Sequence, residues 1–341
     1  MMNSHFDYEL PPHLIAQQPT AQRDAARLMV LQRSAGEIAH RVFRDLPDLL
    51  NPGDLLVLND TRVLPARLIG HREKTGGKWE GLFLRETPEG FWELLTQTKG
   101  KPEIGEAFVT EPGKLRLILR GRVDGHWLML PDPTVPAEEL LTKHGQIPLP
   151  PYIRKGRAGE EDRVRYQTVY ARADGSVAAP TAGLHFTPEL FERLRERGIA
   201  WIYVTLHVGL GTFEPIRDEV AKHVMHHEWA VVPETTVEVI RECKARGKRV
   251  VGVGTTATRA LESAAKDGDL RAWQGETNLF IQPPYSFKVI DGLITNFHLP
   301  RTTLLLLVGA CAGIELLQRA YTTAVAMEYR FYSYGDAMLI L

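Results

Sequence analysis

From Val63 to about Pro131 the chain runs in short bursts of β-forming residues: Arg67 to Arg72, Trp79 to Arg85, Phe91 to Thr96, Leu115 to Val123 and Trp127 to Leu130. Turn residues separate them at Gly76-Gly77, Pro88 to Gly90 and Gly125. Alternating apolar and polar positions at this spacing predict a small antiparallel barrel or sandwich.

The flanking sequence has a different texture. Arg27 to Gln32 and Asp54 to Leu58 read as strands, the second entered through the turn Asn51-Pro52-Gly53. Thr187 is placed to cap a helix that starts at Pro188, carries Glu189 in its first turn and closes at Gly198. Ile199 to Val208 then reads as a buried strand. Pro233 to Arg246 predicts a helix ending at Gly247, Arg249 to Val253 a strand, and Thr256 to Ala265 a helix. This alternation predicts a mostly parallel or mixed sheet covered by helices. The expected fold is an α/β main domain, residues 1–62 and 132–341, with an inserted small antiparallel β-barrel domain at 63–131.

With 341 residues, 44% of them hydrophobic, there is material for two packed cores. Cys243 and Cys311 are the only cysteines, which argues against a disulfide framework or a four-cysteine metal site and fits a reducing compartment. The first ten residues lack the basic and apolar regions of a signal peptide. The longest apolar run, Leu304 to Ile314, is too short to span a bilayer and reads as core. A cytoplasmic protein without a membrane contact is expected, working as a monomer.

The net charge of −1 gives no bulk argument for nucleic-acid binding. Arg154, Lys155, Arg157, Arg163 and Arg165 form the one basic cluster that could face phosphates. Glu160, Glu161 and Asp162 sit inside it, so the segment reads first as a solvated loop.

Four stretches carry polar or glycine-rich residues that a plain core element does not need. Pro180-Thr-Ala-Gly-Leu-His-Phe186 feeds the helix capped by Thr187. It reads equally as an anion site with His185 at its mouth or as a tight connection. Thr205-Leu-His-Val-Gly-Leu-Gly-Thr-Phe213 runs off a strand into a glycine loop, a place where open α/β sheets bind ligands, although Gly-x-Gly matches no nucleotide fingerprint. Val250-Val-Gly-Val-Gly-Thr-Thr-Ala-Thr-Arg259 turns from strand to helix with hydroxyls in the first helical turn, which suits a ligand as well as a capped junction. The fourth combines Thr295-Asn-Phe-His-Leu-Pro-Arg-Thr-Thr303 with Tyr329-Arg-Phe-Tyr-Ser-Tyr-Gly-Asp336. Its aromatic residues read as core before they read as a stacking surface for bases. His223, His226, His227 and Glu228 lack a zinc-protease spacing, so non-metal roles are expected.

Together these segments resemble the S-adenosylmethionine:tRNA ribosyltransferase-isomerase family over almost the whole chain. The resembling stretches include Phe6-Asp-Tyr-Glu-Leu-Pro11, Arg27-Leu-Met-Val-Leu31, Pro52 to Arg62, Pro180 to Phe186, Leu206 to Phe213, Gly252 to Arg259, Thr295 to Pro300 and Tyr329 to Met338. Pro283-Pro284-Tyr285 departs from the family's Pro-Gly-Tyr. The resemblance implies S-adenosylmethionine as a co-substrate, with no metal and no bound cofactor. The partner it implies is a tRNA anticodon stem-loop carrying 7-aminomethyl-7-deazaguanine at the wobble position, and the products are epoxyqueuosine-tRNA, adenine and methionine.

That chemistry needs a base near the sulfonium and an acid for the departing adenine, and histidine suits both tasks. His185, His207 and His298 are the expected catalytic residues. Asp60, Arg62, Thr181, Gly183, Gly209, Gly211, Thr212, Thr255, Thr256, Arg259, Asn296, Arg330, Tyr334 and Asp336 are the expected substrate contacts. Among these, Asp60, Asp336 and Tyr334 are candidate partners for the sulfonium. Two rival readings remain: an S-adenosylmethionine-dependent RNA methyltransferase, for which no convincing glycine loop and acidic residue pair is found, and a non-catalytic RNA-binding module built on the β domain.

Overall fold

The computed structural model describes residues 6–111, 113–209 and 225–341; the candidate residues Gly211, Thr212 and His223 lie outside them. The chain forms two compact units, one from residues up to 62 with 150–155 and 167–341, the other from 63–149 and 156–166.

In the first unit the described residues build a nine-stranded mixed sheet. Its order is Trp273–Thr277, Glu228–Val232, Ala200–Leu206, Leu55–Asn59, Val250–Val253, Gly292–Asn296, Ala337–Ile340, Arg27–Gln32, Glu37–Val42. The four strands from Ala200–Leu206 to Gly292–Asn296 run parallel, and Ala337–Ile340 pairs antiparallel with the last of them. Leu55–Asn59 is buried along its whole length, as a parallel strand covered on both faces must be. Its side chains alternate between two cores: Leu55 and Val57 pack in one, Leu56 and Leu58 in the other.

The helix boundaries follow local chemistry. Thr187 Oγ1 accepts from the Leu190 amide at 3.1 Å and starts Pro188–Glu196. Gly198 and Gly247 follow Pro188–Glu196 and Glu234–Ala245 with φ of +69° and +64°, a left-handed stop that glycine adopts without strain. The apolar run near Leu304 forms the buried helix Thr303–Ala312, which bends by 116° into Ile314–Ala326. Among the described residues no single helix is long and apolar enough to cross a membrane.

The second unit is a closed antiparallel barrel in the order His126–Asp132, Trp92–Thr98, Lys78–Glu86, Arg67–Arg72, Ala107–Thr110, Arg116–Val123. Trp79, Trp92, Phe108, Leu117 and Leu119 fill it. This unit extends past the boundary expected at 131. Arg67 and Gln146 exchange backbone hydrogen bonds of 3.0 and 2.8 Å, and the Arg163 guanidinium donates to the Gly145 carbonyl at 2.9 Å, which holds 132–149 and 156–166 to the barrel.

The basic cluster is exposed at Lys155, Arg157 and Arg163, as a solvated segment would be, but it is not all loop, since Asp162–Arg165 forms a helical turn. Arg154 and Lys155 belong to the first unit, with φ of +45° and +54°, whereas Arg157, Arg163 and Arg165 belong to the second. Asp162 is fully buried and accepts from the Gly159 amide at 2.6 Å.

Candidate active site

The carboxyl ends of the parallel strands collect the candidate residues, as expected for an open α/β sheet. Leu55–Asn59 ends in Asn59 and Asp60, Ala200–Leu206 in His207, Val250–Val253 in Thr255 and Thr256, and Gly292–Asn296 in Asn296 and His298. Because Ala337–Ile340 runs the opposite way, the residues preceding it, Tyr332 and Ser333, arrive at the same edge.

A cleft opens there. Its lining comes from Tyr152, Pro180 to Ala182, Val208, Gly254 to Thr256, Thr295 to Leu299 and Tyr332-Ser333. None of the described lining residues is Asp, Glu, Lys or Arg. The helix Gly254–Ala264 begins in this wall with no side-chain cap, so first-turn N–H groups are left for another acceptor. Tyr152 and Tyr332 pack as a tilted pair, ring centroids 4.0 Å apart and planes at 31°, and the Tyr152 hydroxyl meets Ser333 Oγ at 2.7 Å.

His298 is the expected catalytic histidine that lines the cleft. Its Nε2 lies 2.8 Å from Thr295 Oγ1, and its backbone N–H donates to the Tyr321 hydroxyl at 3.0 Å. Burial pushes its pKa down to about 3, so the imidazole is neutral at physiological pH. Thr181, Thr255, Thr256 and Asn296 line the cleft with it.

The other expected residues stand behind or beside this wall. His185 is buried against Phe43, ring centroids 4.8 Å apart, with Nε2 3.4 Å from Asn296 Nδ2. Burial lowers its pKa to about 4, against the opposing charge of Asp336. His207 places Nδ1 2.8 Å from Thr61 Oγ1. Burial lowers its pKa too, with Asp60 and Asp174 opposing.

Asp60 accepts from Arg172 Nε at 2.5 Å and Thr205 Oγ1 at 2.6 Å. Asp336 accepts the backbone N–H groups of Arg27 and Arg330, both at 2.8 Å, and Arg27 Nε at 3.3 Å. Neither carboxylate lines the cleft. Arg62 is exposed and reaches Asp174 at 3.6 Å. Arg330 donates to the Gln18 carbonyl, and Tyr334 is buried.

Gly183 owes its identity to close packing, since a Cβ there would sit 2.0 Å from the Tyr170 hydroxyl. Gly209 donates its N–H to Glu228 Oε1 at 3.0 Å, and Glu228 forms a buried ion pair with Arg259. His227 Nδ1 lies 3.4 Å from Glu276 Oε2.

Sequence reasoning did not single out Asn59 or Tyr152, and took Tyr332 with an aromatic stretch that reads first as core. Asn59 donates to Leu206 O at 2.9 Å and Thr256 Oγ1 at 3.1 Å, and accepts from the amides of Leu206 and Thr61 at 3.0 and 3.2 Å. A polar residue closing an apolar strand was the available signal. Tyr332 holds φ of +72°, a left-handed backbone that favours glycine, and nothing in the sequence announces it.

Comparison with known proteins agrees with this architecture. A family model described as queuosine biosynthesis protein matches residues 3–340. Proteins named S-adenosylmethionine:tRNA ribosyltransferase-isomerase from Halothermothrix orenii and Thermotoga maritima are 51% and 49% identical, over 100% of both chains in each case. One of that name from Desulfitobacterium hafniense is 49% identical over 98% of both. A crystal structure of S-adenosylmethionine tRNA ribosyltransferase from Thermotoga maritima matches with a TM-score of 0.58 and 41% identity, covering 99% of this chain and 100% of that one.

Proposed function

The chain belongs to the queuosine biosynthesis family, and on that basis we propose that it transfers and isomerises the ribosyl group of S-adenosylmethionine onto 7-aminomethyl-7-deazaguanine at the wobble position of a tRNA. The products are epoxyqueuosine-tRNA, adenine and methionine. It is a transferase, with S-adenosylmethionine and tRNA as its substrates. Free tRNA makes the cytoplasm its place of action.

The observation that carries the site assignment is the uncharged cleft at the carboxyl ends of the parallel strands, with His298 in its wall. The uncapped first turn of Gly254–Ala264 supplies N–H donors for the carboxylate of the methionine portion. With no acidic side chain in the described lining, the sulfonium faces the rings of Tyr152 and Tyr332. Bringing a cation against aromatic faces in a site shielded from water favours it without neutralising the charge that makes the neighbouring carbon acidic.

His298 is the group in the cleft that takes and returns protons. Burial keeps it neutral before the donor binds but also makes it a weaker base than a free imidazole, so a proton it takes is held only in passing and handed on. Thr295 fixes its ring through the 2.8 Å contact at Nε2. The RNA base enters from a single-stranded loop, where it can leave its stack at low cost.

The test is product analysis. The purified protein is incubated with S-adenosylmethionine and an anticodon stem-loop carrying the aminomethyl base. Adenine, methionine and an RNA mass gain matching an epoxycyclopentane-diol unit are expected. S-adenosylhomocysteine would instead identify a methyltransferase, and tight RNA binding without consumption of the donor a binding module.

A further inference from the structure

The cleft wall contains two polar atoms that the fold leaves unpaired. Asn296 is 1% exposed and Tyr332 7%. Asn296 Oδ1 and the Tyr332 hydroxyl are buried and meet no hydrogen-bond partner among the described residues. Leaving a buried acceptor unmet costs stability, so native structures rarely keep one without a use.

The Asn296 amide cannot turn over to relieve this. Its Nδ2 donates to the Tyr332 carbonyl at 2.9 Å and approaches His185 Nε2 at 3.4 Å. A flipped amide would set its oxygen against that carbonyl. Burial keeps His185 neutral, with a pKa of about 4, and the amide fixed by the Tyr332 carbonyl sets its tautomer, with Nε2 as the acceptor. Tyr332 is fixed in turn: its left-handed backbone donates N–H to Phe297 O at 3.0 Å and its ring lies on Tyr152.

The wall therefore offers a locked acceptor, Asn296 Oδ1, and a hydroxyl that burial keeps protonated and able to donate. Its surroundings are uncharged and partly aromatic. Such a surface suits a neutral heterocycle that presents an N–H donor next to a ring-nitrogen acceptor. A 6-amino purine has that edge. A 6-oxo purine places a lone pair where the amino group was and a proton on the adjacent nitrogen.

We propose that Asn296 is the residue that selects a 6-amino purine, with Oδ1 accepting from the exocyclic amine and the Tyr332 hydroxyl donating to a ring nitrogen. His185 is a positioning residue that holds the amide in register. The proposal rests on the cleft being the donor site and names its adenine end. It also accounts for a buried histidine behind the wall rather than in it.

The experiment compares adenine with hypoxanthine by titration calorimetry on the whole wild-type chain, then on Asn296→Leu and His185→Leu. Adenine is expected to bind about tenfold or more tightly than hypoxanthine, the scale of rejection when a polar site meets the wrong partner. Asn296→Leu should erase the preference and His185→Leu should weaken it. Equal binding of the two bases to the wild-type protein overturns the proposal whether or not the variants fold. So does an unchanged preference in a folded Asn296→Leu.

Product analysis separates this from the proposed reaction. Turnover of S-adenosylmethionine without any base preference removes the inference and leaves the reaction. A clear adenine preference without adenine release keeps the inference and removes the reaction.

Discussion

Asn59 Nδ2 lies 3.1 Å from Thr256 Oγ1, a contact that ties the carboxyl end of one parallel strand to the first turn of the helix after its neighbour. The same buried amide satisfies both backbone groups of Leu206. It is the bracket that holds three strand ends in register under the cleft.

Removing that bracket should cost both stability and turnover. Asn59→Ala leaves several buried groups unpaired, and a loss of about 3 kcal/mol in urea unfolding is expected. Thr256 loses its partner, so kcat/KM should fall about tenfold through displacement of the cleft wall. A variant with wild-type stability would show that Asn59 is incidental.

Stability should also depend on pH in a particular direction. His185 and His298 have an ordinary value of 6.5 and are lowered to about 4 and about 3 by burial, being 5% and 8% exposed. The unfolded chain takes up their protons as pH drops below about 6.5, while the folded chain does so only near the lowered values. Their contribution is complete above pH 6.5 and is lost as pH falls towards 4 and then 3. The slope is about 1.4 kcal/mol per pH unit for each histidine. Melting curves from pH 7 to pH 5 should show the decline, and His298→Gln should reduce its slope by about 1.4 kcal/mol per pH unit. An identical pH slope in the variant would contradict the burial argument.

The Glu228–Arg259 pair is buried at both ends, with side chains 2% and 4% exposed. Arg259→Met strands a buried carboxylate and should destabilise the fold by about 3–5 kcal/mol. The double variant Glu228→Leu with Arg259→Met should cost less than the sum of the two single changes. Additive losses in a double-mutant cycle would show that the two side chains do not act as a pair.

Much of this organisation is legible in the sequence because it rests on local periodicity and punctuation. The Thr187 cap, the Gly198 and Gly247 stops and the continuous apolar run of Leu55 to Leu58 each have a short-range cause. Edge strands are harder. Glu37–Val42 and Trp273–Thr277 are polar enough to pass for loop, since half their surface faces solvent. The barrel strand Ala107–Thr110 is too short to declare a period.

The lining of the candidate cleft was legible in part: Thr255, Thr256, Asn296 and His298 stand out as polar residues after apolar strands, and Thr181 as one ahead of a capped helix. Asp60 and Asp336 show the limit of such reading. An acidic residue in a suggestive motif looks the same whether it faces a ligand or ties down backbone, and Asp336 is occupied by Arg27 and Arg330. Tyr152 and Tyr332 meet only in the folded chain. The aromatic stretch that contains Tyr332 serves both purposes: Tyr329 and Phe331 are fully buried, and Tyr332 forms the wall.

We place the donor in the carboxyl-end cleft, where it reacts beside His298. Equilibrium binding and single-turnover consumption of labelled S-adenosylmethionine, in the presence of the modified stem-loop, test it on two variants. Thr181→Trp, at a half-buried lining position, fills the cleft and should abolish donor binding while the protein still melts cooperatively. His298→Gln should bind the donor within a fewfold of wild type and slow adenine release by about 100-fold or more, the usual weight of a proton-transfer group. Wild-type binding by Thr181→Trp together with wild-type rates for His298→Gln would place the chemistry elsewhere in the protein.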